Sequence, residues 1–349
     1  MTNSWFRQGR PKRIVGIGSA LVDILVAASD EFVECTGVPK GGMVYFDPPA
    51  IDRVLQDAVE RPQVVPGGAA CNTITGVARL GGDTRFLGKR GNDEFGDLFE
   101  TELTRHGVET MLIKAPTPTG RVLSLITPDS QRTMLTYLGA SAEMARAEIP
   151  VENFQEVAVA LIEGYLVYNR ELFQYAMQTA HAAGARIALD LASFTVVEEN
   201  HRDLKAIVRQ YVDILIANED EACAFTGQQD ETAALRILAD QAELAVVKLG
   251  ARGSLIAHGD QVFTVSPYGD DGVVDTTGAG DLWASGFLYG LVHGMSLDQC
   301  GRLASLCGYE VCRGIGAAIP EEGWQRIRQM ANILRGSVFS DDFGLKEVS

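Results

Sequence analysis

Long hydrophobic runs are missing from this 349-residue chain: no stretch approaches the ~20 apolar residues of a bilayer-spanning helix. Basic residues are scarce as well. Lys and Arg number 30 against 46 Asp and Glu, a formal net charge of −16, which argues against nucleic acid or an anionic membrane as the main partner. The histidines (His106, His181, His201, His258 and His293) form no HxH or HxxxH pair, which weakens a zinc-hydrolase reading. Six cysteines show neither a CxxC pair nor a secreted spacing, and several sit in apolar segments, where free Cys behaves as a small hydrophobe; they read as reduced and structural. The apolar run at 14–18 is too short for a signal peptide and reads as a first strand, so a cytoplasmic protein is expected. Two nucleotide signatures are absent too. Gly88-Lys89 is followed by Arg90, which rules out a P-loop, and Leu21 stands where the third glycine of a dinucleotide fingerprint beginning at Gly16 would fall.

With 46% hydrophobic residues the chain can bury a large core, as two domains or as one α/β unit with an insertion. From about residue 155 onward, β-branched apolar runs at 157–162, 186–191, 213–217 and 244–248 alternate with helical patterns at 170–183, 201–211, 219–225 and 231–241. Such alternation implies βαβ units and a parallel sheet with helices on both faces. Gly259-Asp260, between two further strands, signals a hairpin. The N-terminal part is less regular: a strand at 13–18, a helix at 73–80, and two segments, 21–47 and 117–138, that alternate apolar and polar residues without a helical period. The expected architecture is an α/β, three-layer core with a mostly parallel, doubly wound sheet, plus a small antiparallel sheet acting as a lid. The core takes 13–20, 48–116 and 139–338, the lid takes 21–47 and 117–138, and a polar tail at 339–349 is expected to fray.

The run DTTGAGD, Asp275 to Asp281, stands immediately before an apolar helical stretch. Gly278 and Gly280 permit a tight turn and a close backbone approach, and the unpaired amides at a helix start attract anions. Together they describe a phosphate cradle, with Asp281 at its edge able to take a proton from an attacking hydroxyl. An ordinary Gly-rich turn capped by Asp is the plain alternative. A carboxylate at a helix start should also have a lowered pKa, which makes it a weak base. A second cluster, PGGAACN, offers Gly67, Gly68 and Asn72 for close contact with a small hydroxylated ligand, whereas GKRGNDEFG reads as a turn and helix entry that hold the fold. Polar residues recur where the strands end: Ser19, Glu163, Asp190, Asn218, Glu221 and Lys248. Ligands of open α/β sheets bind at that edge. Asn218 and Glu221, three apart, suit Mg²⁺ held partly through water, and equally suit a helix cap. Lys248 could reach phosphate, and Gly250 and Gly253 would let a loop run beside a nucleotide.

Taken together, GGAACNTITGVARLGG, GKRGNDEFG and DTTGAGD resemble the PfkB, or ribokinase-like, family of carbohydrate and nucleoside kinases over roughly residues 13–330. The resemblance implies an ATP- and Mg²⁺-dependent transfer of the γ-phosphoryl group to a hydroxyl. It implies Asp281 as general base and the amides of Thr277, Gly278, Ala279 and Gly280 as anion hole. Asn218 and Glu221 match the Mg-associated element, and Lys248, Gly250 and Gly253 the nucleotide loop. Asp23, Gly67, Gly68, Asn72 and Glu163 match acceptor-binding positions. Leu21 and Ala69 stand where ribokinases typically have Asn and Lys, which looks like the adenosine kinase branch; a leucine there could pack on a flat base. A nucleoside, adenosine first, is therefore the expected acceptor, with a small sugar such as ribose or fructose as the alternative. Asp275 and Thr277 match a monovalent-cation (K⁺) site, but Ala318 replaces its usual Ser. The oligomeric state stays open, a homodimer through the lid being one arrangement the resemblance allows. A ligand sensor without turnover and a degenerate dinucleotide oxidoreductase are the rival classes.

Overall fold

The computed structural model describes residues 11–129, 131–269 and 271–340. The strands, in chain order, are β1 (Arg13–Ile17), β2 (Leu21–Ala27), β3 (Met43–Tyr45), β4 (Gln63–Gly67), β5 (Thr84–Gly91), β6 (Glu109–Ala115), β7 (Gly120–Ile126), β8 (Arg132–Tyr137), β9 (Val157–Glu163), β10 (Arg186–Asp190), β11 (Ile214–Asn218), β12 (Leu244–Lys248), β13 (Ser254–His258) and β14 (Gln261–Val265). Among the described residues they form a nine-stranded sheet, ordered β14-β13-β12-β11-β10-β9-β1-β5-β6, and a five-stranded sheet, ordered β3-β8-β7-β2-β4.

From β12 to β6 every neighbouring pair of the large sheet is parallel, and only the β12-β13-β14 edge is antiparallel. Strands covered on both faces read as continuous apolar runs, and all seven residues of β9 are buried. In β1, Ile14 enters one core and Val15 and Ile17 the other. Helices Ala69–Arg79, Ala279–Val292 and Leu297–Val311 pack on the first face; Arg170–Ala182, Phe194–Tyr211, Glu219–Thr226 and Glu231–Ala239 pack on the second. Helix Ala279–Val292 is buried all round from Leu282 to Val292, whereas its start, from Gly278 to Asp281, is half-buried. β1 pairs with β5 on one side and β9 on the other, so connections diverge from its carboxyl end and leave a crevice there.

The small sheet alternates its pairings: β4-β2 and β7-β8 are antiparallel, β2-β7 and β8-β3 parallel. Its period-2 alternation decides what faces what. Val22, Ile24, Val26, Leu123, Leu125 and Leu135 join the main core, while Leu21, Asp23, Val122, Ser124, Met134 and Thr136 face a cavity.

Three expectations need correcting. β4 belongs to the small sheet, although the pattern assigns 48–116 to the core; Pro66 disguises it as a turn, and an edge strand tolerates a proline. Segment 21–47 contains a short helix, Asp30–Cys35, capped by Ser29, whose side chain accepts from Phe32 N. The helix expected at 201–211 begins at Phe194 and carries a kink at Asn200, whose side chain donates back to Val196 O at 3.0 Å, and this local bond breaks the helical pattern. The hairpin at Gly259 forms as expected, and the 341–349 part of the tail lies outside the described residues.

Candidate active site

A cavity of about 370 Å³ opens where β1 and β9 end beneath the small sheet. Asp23, Glu163 and Arg132 give its lining charged groups, Ser19, Ser124, Ser141 and Asn169 neutral polar ones, and Leu21, Tyr45, Met134, Tyr165 and Tyr168 apolar and aromatic ones. Gly68 caps helix Ala69–Arg79 at φ 99°, and a Cβ there would lie 2.4 Å from Ser19 O. Only glycine can therefore bring this turn onto the end of β1. Gly67 lies against Asp23, since a Cβ on it would fall 2.4 Å from that carboxyl group. Glu163 is wedged in the same corner and accepts from Ala70 N at 3.2 Å, so it anchors the glycine turn as well as lining the cavity.

Asp281 lies in the first turn of the buried helix Ala279–Val292. Asn72 Nδ2 donates to its Oδ2 at 2.9 Å, and Thr73 Oγ1 donates to its carbonyl at 3.1 Å. Burial pushes the Asp281 carboxyl up to about 6, against the pull of Asn72, Lys248 and Arg132. The lowered value expected from the helix start is thus overturned, because desolvation outweighs a half-charge dipole. Burial likewise lifts Asp23 to about 7, opposed by Arg132 and reinforced by Asp281. Glu163 rises to about 7 for the same first reason, opposed by the Ala70 amide. These three carboxyl groups lie close enough for their charges to act on one another, and Arg132 of the small sheet acts on Asp23 and Asp281, although nothing in the spacing marks it as functional.

A second cavity, about 280 Å³, opens beside the glycine-rich turn. Lys248, Gly250, Gly253, Ala279 and Gly280 line it together with the aromatic side chains of Tyr268, Trp283 and Tyr309. Gly278 is left-handed at φ 72° and no side chain caps the helix it precedes, so the amides of Gly280 and Asp281 point outward as an anion site. Thr277 and Ala279 do not join them, contrary to expectation: the Thr277 N–H donates to Asp275 Oδ1 at 3.0 Å and its hydroxyl to the same carboxylate at 2.7 Å, and the Ala279 N–H donates to Thr276 O at 3.1 Å. Thr276 lines the cavity in place of Thr277. Asp275 also accepts from Gly316 N at 2.8 Å and has Arg132 Nε at 3.8 Å, an environment already supplied with donors and positive charge and therefore poor for K⁺. Ser305, Tyr309 and Cys312 line the second cavity with Gly308, the i, i+3, i+4, i+7 face of helix Leu297–Val311; the period is legible once the partner is known.

Asn218 and Glu221 form a capping box. Asn218 Oδ1 accepts from Glu221 N at 2.8 Å, and the Glu221 carboxylate accepts from Asn218 N at 2.8 Å and Nδ2 at 2.9 Å. Both expectations for this pair therefore remain geometrically compatible, but the capping contacts are the ones made. Among the described residues no three His, Cys, Asp or Glu side chains cluster as a metal cage. This donor set fits Mg²⁺ only as an ion that nucleotide phosphates and water would carry, since Glu221 is buried and its carboxylate oxygens already accept within the cap.

A cavity lined by carboxyl groups and a second one lined by a glycine-rich helix start and a lysine suit phosphoryl-transfer chemistry. The pfkB family of carbohydrate kinases matches residues 41–323, and the chain belongs to that family. It is similar to the adenosine kinase from Sinorhizobium meliloti, with a TM-score of 0.84 and 32% identity over 91% of this chain and 98% of that one. It is equally similar to a probable sugar kinase from Rhizobium etli CFN 42, with a TM-score of 0.85 and 30% identity over 95% and 99%. Probable fructokinase-4 of Arabidopsis thaliana is 28% identical over 295 residues, 78% of this chain and 88% of that protein. The chain is a phosphotransferase of the ATP-using kinase type, and among the described residues no helix is long and apolar enough to cross a membrane.

Proposed function

We propose that this enzyme transfers the γ-phosphoryl group of ATP to a hydroxyl of a nucleoside, adenosine being favoured. The observation that carries this reading is the mixed lining of the larger cavity, which brings carboxyl groups (Asp23, Glu163) together with apolar and aromatic side chains (Leu21, Tyr45, Met134, Tyr165, Tyr168). A nucleoside has the same two characters, with hydroxyls on the ribose and a flat base beyond them. A free sugar has no flat base to set against the aromatic side chains. Asp23 and Asn72 hold the ribose, and Asp281, oriented by Asn72, receives the proton of the attacking hydroxyl. With its carboxyl at about 6, Asp281 is largely ionised near neutral pH and basic enough to accept that proton. The amides of Gly280 and Asp281 receive the phosphoryl oxygens, and the small sheet shields the reaction from water, which would compete as acceptor. Mg²⁺ arriving on the nucleotide supplies charge neutralisation for its phosphates.

A small sugar is the second reading, favoured by the hydroxyl and amide groups of Ser124, Ser141 and Asn169 in the same cavity and by the sugar-kinase relatives. A coupled ADP-release screen of nucleosides and free sugars decides between them, with adenosine expected to show the higher kcat/KM. Replacing a leucine that packs on a base costs on the order of 1–3 kcal/mol, so Leu21→Asn should lower adenosine use by about tenfold or more. A free sugar used far better than any nucleoside overturns the acceptor assignment.

A further inference from the structure

Lys248 ends β12 and reaches across β11 to Asp190 at the end of β10, its Nζ donating to Asp190 Oδ2 at 2.9 Å. Asp190 is held for this contact. Its other oxygen accepts from Ala192 N at 3.1 Å, in a turn where Ala192 takes the left-handed φ of 69°. The lysine side chain is only 13% exposed, yet Asp190 is the only acceptor that its ammonium meets among the described residues. An ammonium has three donors, so two are left to point elsewhere. Where they point is set by Gly280: a Cβ on that residue would sit 3.1 Å from Nζ. Lys248 therefore overhangs the outward-facing amides at the helix start and lines the nucleotide-side cavity. Burial works against its charge, but Asp190, Glu221 and Asp281 outweigh it and keep the ammonium protonated.

We propose that Lys248 is a catalytic residue that clamps the transferring γ-phosphoryl oxygens, and that Asp190 is the positioning residue holding it there. This rests on the phosphotransferase chemistry and not on which acceptor is used. In the step itself the acceptor oxygen bonds to the γ-phosphorus. The bond from that phosphorus to the bridging oxygen breaks, and the bridging oxygen leaves on ADP with the electron pair. The acceptor's proton passes to Asp281. Lys248 gives up no proton; with the amides of Gly280 and Asp281 it surrounds the charge on the phosphoryl group.

The test compares binding of ADP with that of a non-hydrolysable imido analogue of ATP, by calorimetry on the full chain, in the wild type, Lys248→Gln and the double variant Asp190→Asn/Lys248→Gln. Lys248→Gln is expected to weaken the ATP analogue at least tenfold while ADP changes by less than about twofold, and to lower kcat by about 10²-fold or more on the best acceptor of the screen. The double variant removes the unpaired buried carboxylate and guards against misfolding. It should melt like the wild type and still lack both the ATP preference and the rate. Equal losses for the two nucleotides, no loss for either, or recovery of rate and preference in the double variant would each overturn the proposal, the last by showing that Lys248 only neutralises Asp190. An enzyme that prefers a sugar would change the acceptor reading and leave these binding outcomes untouched.

Discussion

Asp281→Asn separates stability from activity in a way the structure makes quantitative. An ordinary aspartate ionises at 3.8, whereas burial holds Asp281 at about 6. That gap corresponds to about 3 kcal/mol of cost for keeping the group charged in the fold. The sign follows from the direction of the shift. A carboxyl whose folded pKa is raised contributes its stability fully below about pH 4 and loses it as the pH rises through about 6. Asparagine has the same shape and keeps an oxygen to accept from Asn72, so the hydrogen bond at 2.9 Å can survive. The neutral amide still has a desolvation cost, which leaves a net gain of about 1–3 kcal/mol at pH 8. In a chain of this length that should appear as a melting temperature about 1–4 °C higher. The gain should shrink as the pH falls and disappear as it approaches 4. Over the same series kcat should drop by about 10²–10⁴-fold, the usual contribution of a general base. Wild-type kcat/KM should fall on the acid side of about 6, as the base is protonated. Thermal unfolding at pH 5 to 8, run beside initial-rate assays, measures both. A variant no more stable than the wild type at pH 8 would refute the desolvation argument; near-normal turnover would refute the base assignment.

Two further perturbations probe the other side of the site. Asn218→Ala removes a cap whose side chain accepts from Glu221 N, and should cost about 1 kcal/mol in chemical denaturation; Glu221→Gln should raise the Mg²⁺ concentration needed for half-maximal rate, and an unchanged Mg²⁺ dependence would leave that pair with capping alone. Gly280→Ala places a methyl group 3.1 Å from Lys248 Nζ, inside the phosphate cradle. Alanine favours a helix by about 1 kcal/mol over glycine, so the melting temperature should hold or rise while the KM for ATP increases at least tenfold; a normal KM would show that phosphate does not enter there.

What was legible in the sequence was whatever depends on local spacing. The βαβ rhythm after residue 155 gave the parallel sheet, and the alternation in 21–27 already sorts Asp23 and Leu21 onto one face and Val22, Ile24 and Val26 onto the other. The glycine run could be read as an anion site because a helix start carries its amides wherever it is placed. Features that depend on distant packing were not legible. Gly16 begins like a cofactor fingerprint, but a Cβ there would fall 2.3 Å from Ile74 Cγ1: the glycine lets helix Ala69–Arg79 lie close to β1. Tyr165, Tyr168 and Arg132 form no motif with the glycine clusters; they meet the site only because β8 and the segment after β9 converge on one cavity. Thr277 follows the same rule in reverse, since its place in the motif suggests an anion contact and its real partner, Asp275, is two residues away and buried with it.

Asp281 shows why the distinction matters for chemistry. Its sequence neighbours supply a helix dipole that acts over a single turn and favours the charged carboxylate. Its spatial neighbours come from β10, β12, β8 and the helix that carries Asn72, and they leave it only partly exposed to solvent. Desolvation scales with everything packed around the group and wins over the local term. The base is consequently strong enough for proton transfer near neutral pH, and the fold is less stable for holding it charged. Both consequences come from the same burial, which is why a single substitution should move activity and stability in opposite directions.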